Sequence, residues 1–327
     1  MRRKIYDKLL EWKKHNGESA LLVQGARRVG KSHIVEEFAK KEYKSYILID
    51  FNKADQQVKD MFIHDLENLQ SFFMKLTAFY GKKLYERDSV IIFDEVQLFP
   101  RARSAIKYLV ADGRYDYIET GSLISIRENV KDILIPSEED PINMHPMDFE
   151  EFLWAVGNES MYDLIRDCYE KKKPLGQALH RKAMDYFRQY MIVGGMPQAV
   201  KAFVETNDFD EVDRAKRRIL KLYRDDIRKH AKGYEMKVEA IYDELPSQLK
   251  NQNRHFKLSS LIKSINTLLM LQTGIRPNQQ NGSTSSKILR VKCLLYDQSL
   301  DTQSNAPTGA LGSGFNAFRS NRILTIF

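Results

Sequence analysis

The sequence predicts an α/β fold in which a parallel sheet is flanked by helices, and three observations support this prediction. Apolar runs typical of buried strands alternate with helical periodicity over the first 150 residues. Residues 25–32 read G-x-x-x-x-G-K-S between such a run and a helix-like stretch. A further apolar run, residues 89–93, ends in Asp94 and Glu95. Right-handed crossovers then place every strand in one parallel sheet.

The elements follow from these patterns in chain order. The first twelve residues predict an amphipathic helix, because charged residues are interspersed with apolar residues at helical spacing. Strands are predicted at 20–23, 45–51, 89–95 and 115–119, with an edge strand at 141–147, and helices at 32–39, 58–80 and 103–110. Asp148 and Glu151 predict a capping box that opens a run of helices. This run should break at 194–197 and resume to about residue 232.

The glycine-rich segment is typical of a phosphate-binding loop. Its glycines permit backbone geometry in which successive N–H groups converge on phosphate oxygens at a helix N-terminus. Lys31 should reach the β- and γ-phosphates and assist catalysis, and the Ser32 hydroxyl should coordinate Mg²⁺. The residues predicted to contact nucleotide here are Gly25, Ala26, Arg27, Arg28, Val29, Gly30, Lys31, Ser32 and His33.

The paired acids predict the catalytic half of the same site. Strands of a parallel sheet present their carboxyl ends to one edge, where ligands bind. Asp94 should hold Mg²⁺ directly or through water, and Glu95 should orient and deprotonate an attacking water. The alternative is that Asp94 and Glu95 lie in a solvated acidic turn and take no part in catalysis. The next strand leads into Thr120 and Ser122, which are expected to sense phosphate or position water, unless they only cap a turn.

Composition excludes several classes of protein. With 43% hydrophobic and 29% charged residues, the 327-residue chain is expected to be soluble and to form two domains. The sequence contains no run of eighteen apolar residues, so no membrane-spanning helix is predicted. The charged N-terminus is not typical of a secretory signal. The two cysteines, Cys168 and Cys293, suggest neither a disulfide framework nor a zinc site, so a reducing cytoplasm is expected.

The last 67 residues differ from the rest of the chain. Thirty of the residues from Leu261 onward are Ser, Thr, Asn, Gln or Gly, and no Glu follows Glu244. Residues 261–327 also carry +5 of the net charge of +8, so the preceding residues are nearly balanced and basicity is weak support for DNA binding. A flexible interaction tail and a changed reading frame near Leu261 are both consistent with this composition.

Five motifs together resemble a large prokaryotic family of AAA-type (P-loop) ATPases that carries a C-terminal domain of unknown function. The motifs lie at residues 25–32, 93–97, 120–122, 145–153 and 194–197. The resemblance covers roughly residues 1–260. It implies an AAA-like P-loop NTPase domain over 1–160, a helical and winged-helix-like segment over 161–260, and a further domain. Residues 261–327 depart from the family pattern, so an atypical, disordered tail is expected there in place of that domain. The resemblance also implies ATP as the nucleotide. No catalytic arginine is singled out among Arg27, Arg28, Arg101, Arg103 and Arg127.

These observations predict a cytoplasmic, Mg²⁺-dependent ATP hydrolase in which nucleotide binding changes the conformation of the protein. The alternative is a nucleotide-gated DNA-binding or signalling module in which hydrolysis is incidental. A DNA or protein partner would bind through the C-terminal half, and no membrane partner is expected. A phosphotransferase would use the same loop, but no signature of an acceptor site is visible, and the adjacent acids favour water as the acceptor. The oligomeric state is left open.

Overall fold

One parallel, five-stranded sheet organises the computed structural model, which describes residues 1–122, 137–231 and 233–250. Its strands are β1 (Ala20–Gly25), β2 (Ser45–Asp50), β3 (Ser89–Asp94), β4 (Asp116–Ser122) and β5 (Glu139–Met144). Their order across the sheet is β2-β3-β4-β1-β5, and every pairing is parallel. The predicted α/β fold is confirmed, including the edge position of β5.

Five helices accompany the strands up to β4: α1 (Ile5–Lys13), α2 (Lys31–Glu42), α3 (Gln56–His64), α4 (Leu69–Tyr80) and α5 (Pro100–Asp112). The single helical stretch predicted over 58–80 is divided into α3 and α4. The division has a local cause, because the Asp55 side chain caps α3 and the Asn68 side chain accepts the Ser71 N–H at the start of α4. A short 3₁₀ turn, Val96–Leu98, follows β3.

The chain after the sheet is helical. Its helices are α6 (Phe149–Ala155), α7 (Glu159–Glu170), α8 (Gln177–Val193), α9 (Pro197–Thr206), α10 (Phe209–His230) and α11 (Glu235–Lys250). The predicted capping box is confirmed at α6, where the side chains of Asp148 and Glu151 each accept the other residue's backbone N–H. The break predicted at 194–197 separates α8 from α9.

The sheet is held by an apolar core that fixes where its strands end. All six residues of β3 are buried, as expected for a central strand covered on both faces. Near its carboxyl end, the rings of Phe51, Phe62 and Phe93 pack edge to face at centroid distances of 5.5–5.9 Å. At the outer edge of the sheet, Asp140 and Pro141 of β5 are exposed. The core therefore holds the carboxyl ends of β1, β3 and β4 along one rigid edge.

The described residues divide into two compact units, Met1–Ile219 and the segment from Leu220 onward. Within the second unit, Arg224 pairs with Asp243 at 2.8 Å and Arg228 pairs with Glu239 at 3.1 Å, which joins α10 to α11. The boundaries at 160 and 260 stay predictions, and both the tail and the winged-helix-like region past residue 250 lie outside the described residues. No helix among the described residues is long and apolar enough to cross a membrane.

Candidate functional site

The phosphate-binding loop connects β1 to α2, as the sequence predicts. Gly25 is the last residue of β1, and a side chain does not fit there because a Cβ atom would lie 2.2 Å from the Met144 carbonyl oxygen of β5. Gly30 caps α2 with φ +97°, a conformation that side-chain-bearing residues rarely adopt. The backbone N–H groups from Gly30 to His33 donate to no backbone carbonyl within the described part of the chain. They therefore form the unpaired, positive end of a helix, which attracts anions.

Lys31 lies inside this loop. Its side chain is 5% exposed, and Nζ donates to the carbonyl oxygens of Gly25 at 3.1 Å and Ala26 at 3.0 Å. Burial lowers the pKa of Lys31, whereas the negative charges of Glu95 and Asp94 act to raise it. Among the described residues, the hydrogen bonds of this buried ammonium group go to neutral carbonyls, which it is well placed to exchange for charged phosphate oxygens.

Ser32 and Asp94 meet at the carboxyl edge of the sheet. The Ser32 hydroxyl donates to Asp94 Oδ1 at 2.7 Å, and the Thr120 hydroxyl donates to the same oxygen. A hydroxyl and a carboxylate within hydrogen-bond distance lie close enough to share one cation, and oxygen ligands of this kind suit Mg²⁺, which also retains several waters. The residues predicted for the metal are thus brought together, and their donor set fits the ion.

Glu95 follows Asp94 in a left-handed backbone conformation, with φ 55° and ψ 46°. Its N–H donates to the Thr120 hydroxyl at 3.2 Å, and its carboxylate accepts a hydrogen bond from the buried Gln97 side chain. Left-handed geometry in a residue other than glycine is a form of local strain that clusters at functional sites. The turn and these two hydrogen bonds together fix the direction of the Glu95 side chain.

The other predicted site residues take different positions. Thr120 is fully buried, and its hydroxyl donates to the Asp94 carboxylate and accepts the backbone N–H of Glu95. Ser122 ends β4 opposite Gly25 in the sheet register. The His33 side chain is 78% exposed and faces Glu37 along α2 at 3.7 Å. In the loop, Ala26, Arg27 and Arg28 are exposed and Val29 is buried.

Among the arginines considered, Arg101 and Arg103 make contacts that hold the fold. Arg101 donates to the carbonyl oxygens of Phe62 and Ile63 at 3.1 and 3.2 Å, and Arg103 forms a buried, bidentate pair with Glu139. Arg127 lies outside the described residues.

A second buried charge cluster lies on β4 and β5. Glu119 is fully buried one residue before Thr120. Burial and the neighbouring Glu139 carboxylate raise the pKa of Glu119 well above its usual range, with the Arg103 guanidinium acting in the opposite direction. Asp116 is the second acid of β4 and is also buried, and nothing in the sequence of this strand marks either acid as buried.

Sequence reasoning also missed two residues that contact the site. Gln97 was noted only as part of a family motif, although its amide holds the Glu95 carboxylate. Arg3 was not identified at all, yet its guanidinium donates to the carbonyl oxygen of Val29 in the phosphate loop at 2.9 Å. Arg3 lies 26 residues before Val29 in an ordinary amphipathic segment, so no local pattern distinguishes it.

Comparisons with known proteins found two family matches. Residues 17–153 match the family model of an AAA domain, and residues 184–273 match that of a domain of unknown function (DUF8612). The second match continues twelve residues past Leu261, where the sequence composition changes. A search of curated proteins found no match.

A search of solved structures found several similar chains. The Walker-type ATPase PABY2304 of Pyrococcus abyssi is 17% identical, with a TM-score of 0.45 and coverage of 90% of this chain and 89% of that one. PCH-2 of C. elegans is 12% identical with a TM-score of 0.37, covering 67% and 69% of the two chains. The Aeropyrum pernix ORC1 protein, solved in complex with DNA, is 9% identical with a TM-score of 0.35, covering 90% and 84%.

These structural similarities are too distant to add to the family matches, which rest on the sequence itself. The AAA match includes the phosphate loop, the acidic end of β3 and the carboxyl end of β4. Residues 17–153 of this chain therefore match an AAA domain, and residues 184–273 match a domain of unknown function.

Proposed function

We propose that this protein is a Mg²⁺-dependent ATP hydrolase that uses nucleotide binding to change its conformation. The observation that carries the proposal is the meeting of Lys31, Ser32, Asp94 and Glu95 at one edge of the sheet, with Ser32 hydrogen-bonded to Asp94 at 2.7 Å. This constellation supplies a cation for phosphate, oxygen ligands for a metal and a carboxylate for water, which are the parts that phosphoryl transfer to water requires.

Each residue has a distinct role in the proposed mechanism. The loop N–H groups and Lys31 hold the phosphate oxygens, and Ser32 and Asp94 hold the metal ion. When bound, Mg²⁺ neutralises charge on the β- and γ-phosphates. Glu95 orients a water molecule in line with the γ-phosphate and accepts its proton. Catalysis is then positioning combined with charge stabilisation, and the protein forms no covalent bond to the substrate.

The proposal extends to the setting of the protein. A cytoplasmic location is supported by the pattern of the two cysteines, and a DNA or protein partner would be bound through the C-terminal half. The nucleotide site can be tested without knowing either the location of the protein or its partner.

The test compares wild type with Glu95→Gln and Lys31→Ala in ATP hydrolysis and in nucleotide binding, with and without Mg²⁺. Glu95→Gln should bind ATP but lose turnover by about a hundredfold or more, because the amide cannot accept a proton. Lys31→Ala should lose binding. Glu67→Gln is a matched control, since Glu67 is exposed outside the site and its variant should turn over normally.

Three results bear on the proposal. Unchanged turnover in Glu95→Gln would remove Glu95 from its assigned role. Hydrolysis that persists in excess EDTA would contradict the metal requirement. Nucleotide binding without hydrolysis by wild type would favour the nucleotide-gated DNA-binding or signalling module instead.

A further inference from the structure

Arg3 is a buried cation in direct contact with the backbone of the phosphate loop. Its side chain is 7% exposed and has three hydrogen-bond partners. Nε donates to Glu151 Oε1 at 3.1 Å, Nη1 to the Val29 carbonyl oxygen at 2.9 Å, and Nη2 to the His145 carbonyl oxygen at 2.6 Å. One guanidinium group thus joins the loop, the segment after β5 and the first turn of α6.

The partner carboxylate is itself fixed. Glu151 Oε1 also accepts the backbone N–H of Lys4 at 2.7 Å, and Oε2 accepts the N–H of Asp148 in the capping box of α6. Glu151 is 5% exposed. Because both oxygens have backbone donors, Glu151 is a rigid anchor, and the direction of the Arg3 guanidinium is set before any ligand arrives.

The contact with Val29 has a geometric consequence for the loop. In a planar trans peptide, the carbonyl oxygen of one residue and the N–H of the next point in opposite directions. Holding the Val29 carbonyl toward Arg3 therefore fixes the direction of the Gly30 N–H. Gly30 has φ +97°, and glycine is free to adopt many backbone conformations. The local sequence alone therefore does not fix the orientation of the peptide between Val29 and Gly30.

We infer that Arg3 is a positioning residue that preorganises the backbone N–H groups of the phosphate loop for the phosphates of the nucleotide. This inference rests on the proposed function for the identity of its ligand. A purely structural ion pair would not need the two carbonyl contacts, and buried pairs alone add little to stability. The fork of the guanidinium group allows one side chain to hold Glu151 and both carbonyl oxygens at once.

The test uses Arg3→Lys in the full chain, with Arg2→Lys as the matched control. Lysine keeps the charge beside Glu151, but its single ammonium group cannot reproduce the fork that spans both carbonyl oxygens. The Arg2 side chain is 59% exposed, pairs with Glu159 at 3.2 Å and lies 4.2 Å from the Trp154 ring centroid, away from the loop. Three quantities are measured: the Kd for Mg·ADP, the Kd for adenosine, and amide hydrogen exchange of residues 26–33.

Arg3→Lys should raise the Kd for Mg·ADP by about tenfold, the scale of one lost charge-assisted hydrogen bond. The Kd for adenosine, which has no phosphate, should stay within about twofold because only the loop is loosened. Exchange in residues 26–33 should accelerate relative to β1 and β3, and Arg2→Lys should match wild type in all three measurements. Glu151→Gln should show the same pattern, and it replaces Arg3→Lys if that variant does not fold.

Two results would overturn the inference. One is a Kd for Mg·ADP that changes by less than about threefold with unaltered loop exchange. The other is an equal loss of ADP and adenosine affinity, which would mark a general structural role. If wild type binds no nucleotide, the proposed function fails, and loop exchange decides separately whether Arg3 orders these amides.

Discussion

At the scale of one residue, Glu95 combines a strained backbone with the role in hydrolysis that we propose for it. Its left-handed backbone, with φ 55°, is unfavourable for a residue with a Cβ atom by about 1–2 kcal/mol. We therefore expect Glu95→Gly to be more stable than Glu95→Ala by about 1 kcal/mol, after allowing for the greater freedom of glycine in the unfolded chain. Denaturant unfolding of the two variants measures the difference.

Both variants should be inactive, since neither retains a carboxylate. The comparison isolates the backbone because both lose the same hydrogen bond from Gln97. If Glu95→Ala is as stable as Glu95→Gly, the turn after β3 is not strained in solution.

Thr120 connects the two acids. It is fully buried, donates to Asp94 and accepts the Glu95 N–H at 3.2 Å. Thr120→Val keeps the shape of the side chain but leaves the Glu95 N–H without this acceptor, which costs about 1 kcal/mol for a partly buried hydrogen bond. We expect turnover to fall by about ten- to a hundredfold with nucleotide affinity changed little, because the loop itself is untouched.

Steady-state kinetics and a binding assay measure these two effects separately. Thr77→Val is the control, because the Thr77 hydroxyl is exposed on α4 and bonds the nearby Met74 carbonyl oxygen at 2.9 Å. A Thr120→Val protein with normal turnover would show that the bridge is not needed to place Glu95.

At the scale of elements, Gly195 allows the turn between α8 and α9 to pack against the segment before α6. Its carbonyl oxygen accepts the Met147 N–H at 2.7 Å, and a Cβ atom would lie 2.1 Å from the Met147 carbonyl oxygen. Gly195→Ala should therefore destabilise the protein by more than about 2 kcal/mol, because two backbone segments must separate.

Gly81→Ala is the comparison for Gly195→Ala. Gly81 has φ +60°, and a Cβ atom added there would meet no described atom within 4 Å, so only backbone strain of about 1 kcal/mol is expected. Thermal unfolding of both variants gives the ranking. Equal losses in the two would mean that the contact with Met147 relaxes easily.

The same scale shows which parts of the fold were predictable. Strands β1 to β3 were predicted because a buried parallel strand requires a continuous apolar run, and the loop because its glycines and Lys31 are required in a fixed order. Glu151 was predicted as a cap from its spacing to Asp148, but its second function as the anchor of Arg3 depends on a contact 148 residues apart. Contacts of that range leave no periodic trace in the sequence.

For the whole molecule, the buried Glu119 predicts how stability depends on pH. Its pKa is raised by burial and by Glu139 and lowered by Arg103, with the first two dominant. Because the pKa of Glu119 is higher in the folded protein than its unfolded value of 4.5, the folded state keeps a proton that the unfolded state releases as pH rises above 4.5. The contribution of Glu119 to the free energy of unfolding is therefore fully present below pH 4.5 and is lost as pH rises toward the folded pKa. Glu119→Gln is neutral at every pH and removes that loss.

The free energy of unfolding of Glu119→Gln, relative to wild type, should therefore increase as pH rises above 4.5, by at most about 1.4 kcal/mol per pH unit. Urea unfolding at a series of pH values measures this difference, with Glu67→Gln at an exposed position as the control. Parallel curves for Glu119→Gln and wild type would show that Glu119 is ionised in the folded protein.

The exposed Pro141 of β5 affects whether copies of this chain can associate through the edges of their sheets. An edge strand with free N–H groups can template a strand from another molecule, which leads to aggregation. Proline has no N–H to offer, and the exposed Asp140 beside it would bring a charge into any added strand. Growth of the sheet outward from β5 is thus disfavoured, and this edge is protected against strand-to-strand association at high protein concentration.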